Sequence, residues 1–204
     1  RPVLLRRARG YAPLPISLKK DGQNAIAVGG HLKNTIAVNK HKQVFISQHI
    51  GDLDTESSLN SFDRTIADFK TMYKTTPQII VHDAHPDYMS TKTALEMTGE
   101  KVAMQHHLAH VYSCMADNEL EPPFVGVSWD GTGYGDDGTI WGGEFFLIEP
   151  TRARRIAHLR TFPLPGGDSA IKQPFRTALG LLYELTGGDV ARFKSLPPFQ
   201  MMSS

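Results

Sequence analysis

The sequence KVAMQHHLAHVYSCMA, residues 101–116, changes its pattern at Gln105. The apolar residues before Gln105 are typical of a short strand, and the residues after it have the spacing of a helix. On that helix, His106 and His110 lie one turn apart on the same face, while His107 points about 100° away. Two imidazoles at this spacing can share one metal ion, so the pair predicts part of a metal site. The alternative is an ordinary pair of helix histidines.

The alternation of strand and helix extends towards the N-terminus. Apolar residues recur at helical spacing from Leu59 to Tyr73, which predicts an amphipathic helix with Asp54 as its N-cap. Residues 78–82 are too apolar for a strand with one wet face, so we expect a buried parallel strand. A further helix is predicted around residues 90–97. Together these elements predict an α/β arrangement.

The chain before these elements predicts three short strands in an antiparallel meander. The strands are residues 24–30, 35–38 and 43–49. Gly29 and Gly30 form the first turn, beside Lys33 and Asn34. Because glycine has no Cβ, such a turn lets backbone N–H groups approach a phosphate, and an ordinary glycine hairpin is the alternative.

A second glycine-rich segment follows a strand predicted at residues 124–129. Four glycines between residues 131 and 138 indicate a backbone that turns tightly or comes close to another group. Beside Asp130 and Thr132, this loop suits a phosphate or a metal–nucleotide complex, and a plain glycine hairpin is again the alternative. Further strands are predicted at residues 139–149 and 153–162, and a helix at residues 170–185.

Length and composition exclude several classes of protein. The chain has 204 residues and a net charge of +1, which gives no reason to expect nucleic acid or an anionic membrane as a partner. The single cysteine, Cys114, rules out an internal disulfide. No apolar run approaches the ~20 residues that span a membrane, so a cytoplasmic location is the default expectation. The basic cluster Arg6, Arg7 and Arg9 beside two prolines predicts a linker, with an anion contact as the alternative.

Six separate motifs lie in order along the chain, namely Arg6–Pro13, His49–Leu53, Asp83–Tyr88, Gln105–His110, Trp129–Gly135 and Pro165–Asp168. They resemble, in the same order, those of the HypF family, the carbamoyltransferases of nickel–iron hydrogenase maturation. The resemblance covers nearly the whole chain, up to about residue 188. The related O-carbamoyltransferases and tRNA threonylcarbamoyl transferases (TsaD) share the two-histidine element but are less similar around residues 49–53 and 85–88.

The order of elements is similar to the ribonuclease-H-like half of the actin, sugar-kinase and Hsp70 ATPase fold, an α/β fold with a mixed sheet and packed helices. The resemblance implies that residues 1–22 are a linker and the end of a preceding YrdC-like domain. Residues 23–188 would be the first half of the carbamoyltransferase domain, and residues 189–204 a tail. The second half, with a late glycine-rich motif and a further aspartate metal ligand, is then expected to be missing. We expect such a fragment to be inactive alone.

The resemblance implies ATP-dependent carbamoyl transfer from carbamoyl phosphate, through a carbamoyl-adenylate, to the C-terminal cysteine of HypE. His106 and His110 would bind a divalent metal, iron(II) or zinc, with Mg²⁺ accompanying the nucleotide as a further option. The residues expected to bind nucleotide or the carbamoyl group are Gly29, Gly30, Lys33, Asn34, Asp130, Gly131, Thr132, Gly133, Asp168 and Arg176.

Two other functions stay open. The chain could be a non-catalytic nucleotide-binding or docking module of the same fold. It could also be a transferase with another acceptor, a sugar hydroxyl or a tRNA-bound threonine. The small net charge and the lack of a basic, aromatic-interleaved patch weigh against tRNA.

Overall fold

The computed structural model describes residues 11–12 and 14–201. The chain divides into two units, the first ending at His158 and the second beginning at Leu159. The basic cluster at residues 6–9, predicted as a linker, lies outside the described residues. Within the described part of the chain, no helix combines the length and the apolar character needed to cross a lipid bilayer.

The described part of the first unit contains strands and helices in alternation. The strands are β1 (Pro15–Ala27), β2 (Ala37–Ile46), β3 (Ile79–Asp83), β4 (Glu100–Met104), β5 (Phe124–Ser128), β6 (Gly133–Tyr134), β7 (Ile140–Trp141), β8 (Glu144–Ile148) and β9 (Ala153–His158). The helices are α1 (Glu56–Met72), α2 (Met89–Glu96) and α3 (His106–Asp117).

A mixed sheet forms the main layer of the first unit. Its strand order is β2-β1-β3-β4, with β1 and β2 antiparallel and β1, β3 and β4 parallel to one another. The predicted α/β fold with a mixed sheet and packed helices is therefore confirmed, as is the parallel strand around residues 78–82. A second, antiparallel sheet has the order β5-β8-β9, and β6 pairs with β7.

The predicted three-stranded meander is wrong in detail, because the second and third strands form one continuous strand, β2. Residues 39–42, which separated the two predicted strands, lie inside β2. β2 pairs with β1 on one side and forms the edge of the sheet, where polar side chains can face water without breaking the strand. β1 also begins earlier than predicted, so residues 15–22 belong to the sheet.

Helix α1 packs on the sheet through the apolar face that its sequence predicts. Phe62, Ile66 and Phe69 are buried in one cluster with residues of β1, β2 and β3. The N-cap is Thr55 rather than the predicted Asp54. The Thr55 hydroxyl accepts from the backbone N–H of Ser58, and the Ser58 hydroxyl accepts from that of Thr55.

Helix α3 has its own contact with the second sheet. Val111 packs in a cluster with buried residues of β7 and β8, including Trp141 and Phe146. The approach between α3 and β5 is close, since a Cβ at Gly126 would lie only 2.3 Å from a methyl carbon of Val111. This glycine therefore sets how near β5 comes to α3.

The second unit is helical. Its elements are α4 (Asp168–Lys172), α5 (Pro174–Leu185), a short 3₁₀ helix (Ala191–Phe193) and α6 (Pro197–Gln200). The single helix predicted for residues 170–185 is broken at Gln173, whose φ is −126° and ψ 85°. Pro174 is the reason, because proline disfavours helical geometry in the residue before it.

We predict that Gly126→Ala lowers the free energy of unfolding by about 1–3 kcal/mol, because the new methyl group overpacks the contact with Val111. Val111→Ala removes the methyl groups that the new Cβ would meet. The double variant should therefore lose less stability than the sum of the two single variants. Urea unfolding followed by circular dichroism measures the three changes, and simple additivity would contradict the close contact.

Candidate functional site

Segments of the first unit meet around a cleft of about 800 Å³. They are the turn after β1, the end of β3, the first turns of α3 and the loop after β5. β1 and β3 run parallel, so their carboxyl ends open at the same edge of the sheet. Ligands of open α/β sheets bind at that edge.

Two histidines of α3 and one aspartate converge in this cleft. His106 and His110 lie on one helix face, as their spacing predicts, with ring centroids 4.9 Å apart. One oxygen of Asp130 lies 3.0 Å from Nε2 of His106 and 3.3 Å from Nε2 of His110. One ligand atom from each residue falls within 4.8 Å of the others, a spacing at which the three could hold a metal ion. Imidazole and carboxylate donors suit zinc or iron(II).

The carboxylate of Asp130 adds a third donor that sequence reasoning did not place. We listed Asp130 among the nucleotide-binding residues and expected a further aspartate from outside the chain. The local signal was its position directly after β5. The missing information was that β5 lies against α3, which a local pattern does not reveal.

The backbone of Asp130 is fixed by the middle histidine of the motif. The fully buried His107 donates from Nε2 to the Asp130 carbonyl oxygen at 3.1 Å, and Gln105 Nε2 donates to His107 Nδ1 at 3.1 Å. Burial lowers the pKa of His107, in agreement with a neutral ring. The ring also leaves no room for a side chain at residue 133, where a Cβ would lie 2.5 Å from it. Gly133 therefore packs against protein and does not line the cleft.

A buried ion pair also stabilises the loop after β5, which carries Asp130. Glu144, 1% exposed, accepts from Arg155 Nε at 2.6 Å and from the Gly142 N–H at 2.8 Å. The Arg155 guanidinium also lies 3.8 Å above the ring of Trp141. Gly143, the residue after Gly142, donates its N–H to the Asp130 carbonyl oxygen at 3.2 Å. A buried charge without its partner is costly, so this pair favours one arrangement of the loop.

His106 lies between two carboxylates. Its Nε2 faces Asp130, and its Nδ1 is 2.6 Å from Oδ2 of Asp83, a side chain that is 6% exposed. Hydrogen bonds to Asp130 and Asp83 raise the pKa of His106 to about 9. Hydrogen bonds from His106 and His110 hold the pKa of Asp130 well below its usual range. The surroundings of His106 in the cleft therefore favour positive charge.

The turn after β1, residues 28–36, brings backbone donors to the cleft. Gly29 has a φ of +69°, and a Cβ there would lie 2.4 Å from the Thr35 carbonyl oxygen, so the turn needs glycine. Among the described residues, the N–H groups of residues 29–32 find no protein acceptor, and all four residues line the cleft. Free N–H groups in a turn form an anion-binding concavity.

The segment after β2 clamps this turn, a role that its motif did not reveal. The carbonyl of Gly51 accepts from the N–H of Asn34 at 2.9 Å, and Asp52 accepts from the N–H of Lys33 at 2.7 Å. His31 Nε2 is 2.8 Å from a carboxylate oxygen of Asp54. Asp54 thus contacts the turn, while Thr55 caps α1.

The side chain of Asn34 stabilises the turn. Its side-chain amide donates to the carbonyl oxygens of Val28 at 2.8 Å and Gly30 at 2.6 Å, and the residue is 1% exposed. Both amide hydrogens are thus used within the turn, and a part for Asn34 in binding nucleotide or the carbamoyl group stays a prediction. The Lys33 side chain is exposed and lines the cleft.

The remaining predicted residues divide into two groups. Thr132 lines the cleft, whereas Gly131 does not and instead has its carbonyl packed against Gly142. Asp168 and Arg176 belong to the second unit, in α4 and α5. Their part in binding nucleotide or the carbamoyl group stays a prediction.

Comparison with known proteins gives a consistent result. Residues 20–117 match the family model described as "HypF Kae1-like domain". Residues 126–201 match the model described as "Carbamoyltransferase, Kae1-like Domain, second subdomain". Together the two models cover most of the chain.

Curated relatives carry the same family name. The chain is 48% identical over 191 residues to carbamoyltransferase HypF of Synechocystis, covering 93% of this chain and 25% of the relative. Over 205 residues it is 38% identical to carbamoyltransferase HypF2 of Cupriavidus necator, covering 98% of this chain and 25% of the relative. The chain thus spans about a quarter of the length of these relatives.

Solved structures agree with this match. A crystal structure of full-length HypF in its phosphate- and nucleotide-bound form superposes with a TM-score of 0.83 at 46% identity, covering 88% of this chain and 24% of that one. HypF of T. kodakarensis gives the same TM-score at 38% identity, covering 89% and 24%.

The charge environment of His106 predicts a pH dependence of stability in metal-free protein. Its pKa rises from 6.5 to about 9 on folding, so the folded state binds the additional proton between these values. The stabilisation is fully present below pH 6.5 and is lost as the pH rises through about 9. The free energy of unfolding should fall with a slope approaching about 1.4 kcal/mol per pH unit.

Urea unfolding after EDTA treatment measures this slope. His106→Gln should remove it, while His41→Gln, at an exposed position of β2, should keep it. An equal slope in the wild type and in His106→Gln would show that the proton is not bound at His106.

Proposed function

The chain belongs to the HypF carbamoyltransferase family, and we propose that its first unit provides the cleft in which a HypF-type protein activates a carbamoyl group. One observation carries the proposal. The free N–H groups of residues 29–32 and the cluster His106, His110 and Asp130 open onto the same cleft. Backbone donors suit phosphate oxygens, and the cluster suits a divalent metal. A phosphate-activated carbamoyl group needs both close together.

The proposed reaction uses ATP and carbamoyl phosphate. A carbamoyl-adenylate forms in the cleft, and its carbamoyl group passes to the C-terminal cysteine of HypE. A full-length HypF with 46% identity is known in a phosphate- and nucleotide-bound form, which supports a nucleotide and a phosphate compound as ligands of such a protein. Because the chain spans about a quarter of its relatives, we place the contacts with HypE and with a YrdC-like domain in the whole protein.

In this proposal, the residues that line the cleft have separate roles. The turn at residues 29–32 binds phosphate oxygens through its N–H groups, and the Lys33 ammonium group adds positive charge at the rim. Thr132, which also lines the cleft, offers a hydroxyl. His106, His110 and Asp130 would hold a divalent metal, iron(II) or zinc, and Mg²⁺ would accompany the nucleotide. The bound metal would polarise phosphate and carbamoyl oxygens as a Lewis acid.

Metal binding can be tested on the chain itself. We expect the unmodified chain to bind Zn²⁺, and His106→Ala combined with His110→Ala to weaken the affinity by about 100-fold or more, because two of three donors are lost. Asp130→Asn should also weaken it, since a neutral amide replaces a charged ligand. Competition with a chromogenic zinc chelator gives the affinities.

His41→Ala is the matched control, because this histidine is exposed and on β2, away from the cleft. Zinc affinity that is the same in the control and in the double variant would refute the metal site. Circular dichroism of each variant confirms that the fold is kept.

The phosphate turn is tested by filling the space beside it. A Cβ at Gly30 would lie 3.7 Å from His106 Cε1 and 3.9 Å from Oδ2 of Asp83, which are ordinary contacts, so Gly30→Ala fits. The larger Gly30→Val would occupy the space between the turn and the imidazole. We expect the alanine variant to bind a fluorescent ATP analogue within about threefold of the wild type and the valine variant to lose about tenfold or more.

Both measurements are made with Zn²⁺ present, and thermal melts of the two variants verify folding. Equal affinity of Gly30→Val and the wild type would place the nucleotide elsewhere.

A further inference from the structure

Asp83 lies outside the cluster that would bind a metal, yet both of its carboxylate oxygens and its carbonyl oxygen are hydrogen-bonded. It ends β3, and its side chain is 6% exposed. Oδ1 accepts from the N–H of His85 at 2.8 Å, and its carbonyl oxygen accepts from the Thr91 hydroxyl at 3.1 Å. Only Oδ2 is left, and it lies 2.6 Å from Nδ1 of His106.

We infer that Asp83 is a positioning residue that fixes the tautomer of His106 and aims its Nε2 at the metal position. The inference rests on the proposed metal site. A carboxylate is only an acceptor, so Nδ1 of His106 must carry the proton. The lone pair of the neutral ring is then on Nε2, which faces the Asp130 carboxylate at 3.0 Å. A carboxylate behind a metal-bound histidine also increases the basicity of the ligand.

The two histidines of the pair differ in this respect. Within the described residues, Nδ1 of His110 has no hydrogen-bond partner, and its side chain is 56% exposed. His106 is 26% exposed and bonded at both nitrogens. His106 is thus the oriented ligand, and His110 the one that can adjust.

Asp83→Asn is the sharpest variant, because it keeps the shape and changes the hydrogen bonding. Asparagine has one oxygen and one NH₂ group. The N–H of His85, which is bonded to Oδ1 of Asp83, needs the oxygen, so the NH₂ group turns to His106. Nδ1 of His106 must then accept, and the proton moves to Nε2. The ligand nitrogen is lost without any large change in packing.

The experiment compares Zn²⁺ affinity and histidine tautomers in the 204-residue chain. We expect Asp83→Asn to weaken zinc binding about 10–100-fold, the effect typical of losing such a partner. The matched control is Asp87→Asn, an exposed position in the same loop, which should bind like the wild type. Affinity of Asp83→Asn within twofold of the control would overturn the inference.

The unmodified, zinc-loaded chain gives a second test that does not depend on how the variant folds. Long-range ¹H–¹⁵N correlation of labelled histidines should show His106 with Nε2 bound to zinc and Nδ1 protonated. Zinc bound through Nδ1, or an unprotonated Nδ1, would overturn the role of Asp83. Failure of the wild type to bind zinc would instead reject the proposed metal site, and the inference with it.

Discussion

The hydrogen bond from the buried imidazole of His107 to the carbonyl oxygen of Asp130 joins two of the segments that form the cleft, α3 and the loop after β5. It links the first turn of α3 to the loop that carries the carboxylate, and the first two turns of α3 carry the other two histidines. His107 can make this bond only with its proton on Nε2, and Gln105 secures that form by donating to Nδ1. Gln105 also caps α3 by accepting from the N–H of Leu108. One side chain therefore sets the start of the helix and the tautomer of the ring that fixes the loop.

Near this hydrogen bond, the side chains around His106 carry an excess of negative charge. Asp83 and Asp130 both lie against His106, and both are at least partly shielded from water. Two carboxylates near one another are stabilised only by positive charge between them. The raised pKa of His106 is one expression of this need, since the ring keeps a proton to neutralise the acids. A divalent ion at Nε2, as proposed, would meet the same need, so proton and metal would compete for one position.

Much of the fold follows from local pattern, because its main elements depend on residues close in sequence. The apolar stripe from Leu59 to Tyr73 gives α1, and the run at residues 78–82 gives β3. The errors arise where a distant partner competes. Asp54 has the chemistry of an N-cap but bonds to His31, 23 residues earlier in the chain. The residue type of Asp54 is therefore informative, but its partner is not encoded locally.

The glycines of the loop after β5 also show that a residue type does not identify the group it contacts. Their number indicates that the backbone turns tightly or comes close to another group, and we expected a phosphate or a metal–nucleotide complex, with a plain glycine hairpin as the alternative. The structure fills the space at Gly133 with His107 and the space at Gly135 with Trp141. A residue without a Cβ signals close approach without naming what approaches. Here the approach is that of one protein segment to another, and its consequence is that Asp130 reaches the two histidines. The glycines thus serve the site by allowing it to assemble, while the glycine turn after β1 faces the cleft itself.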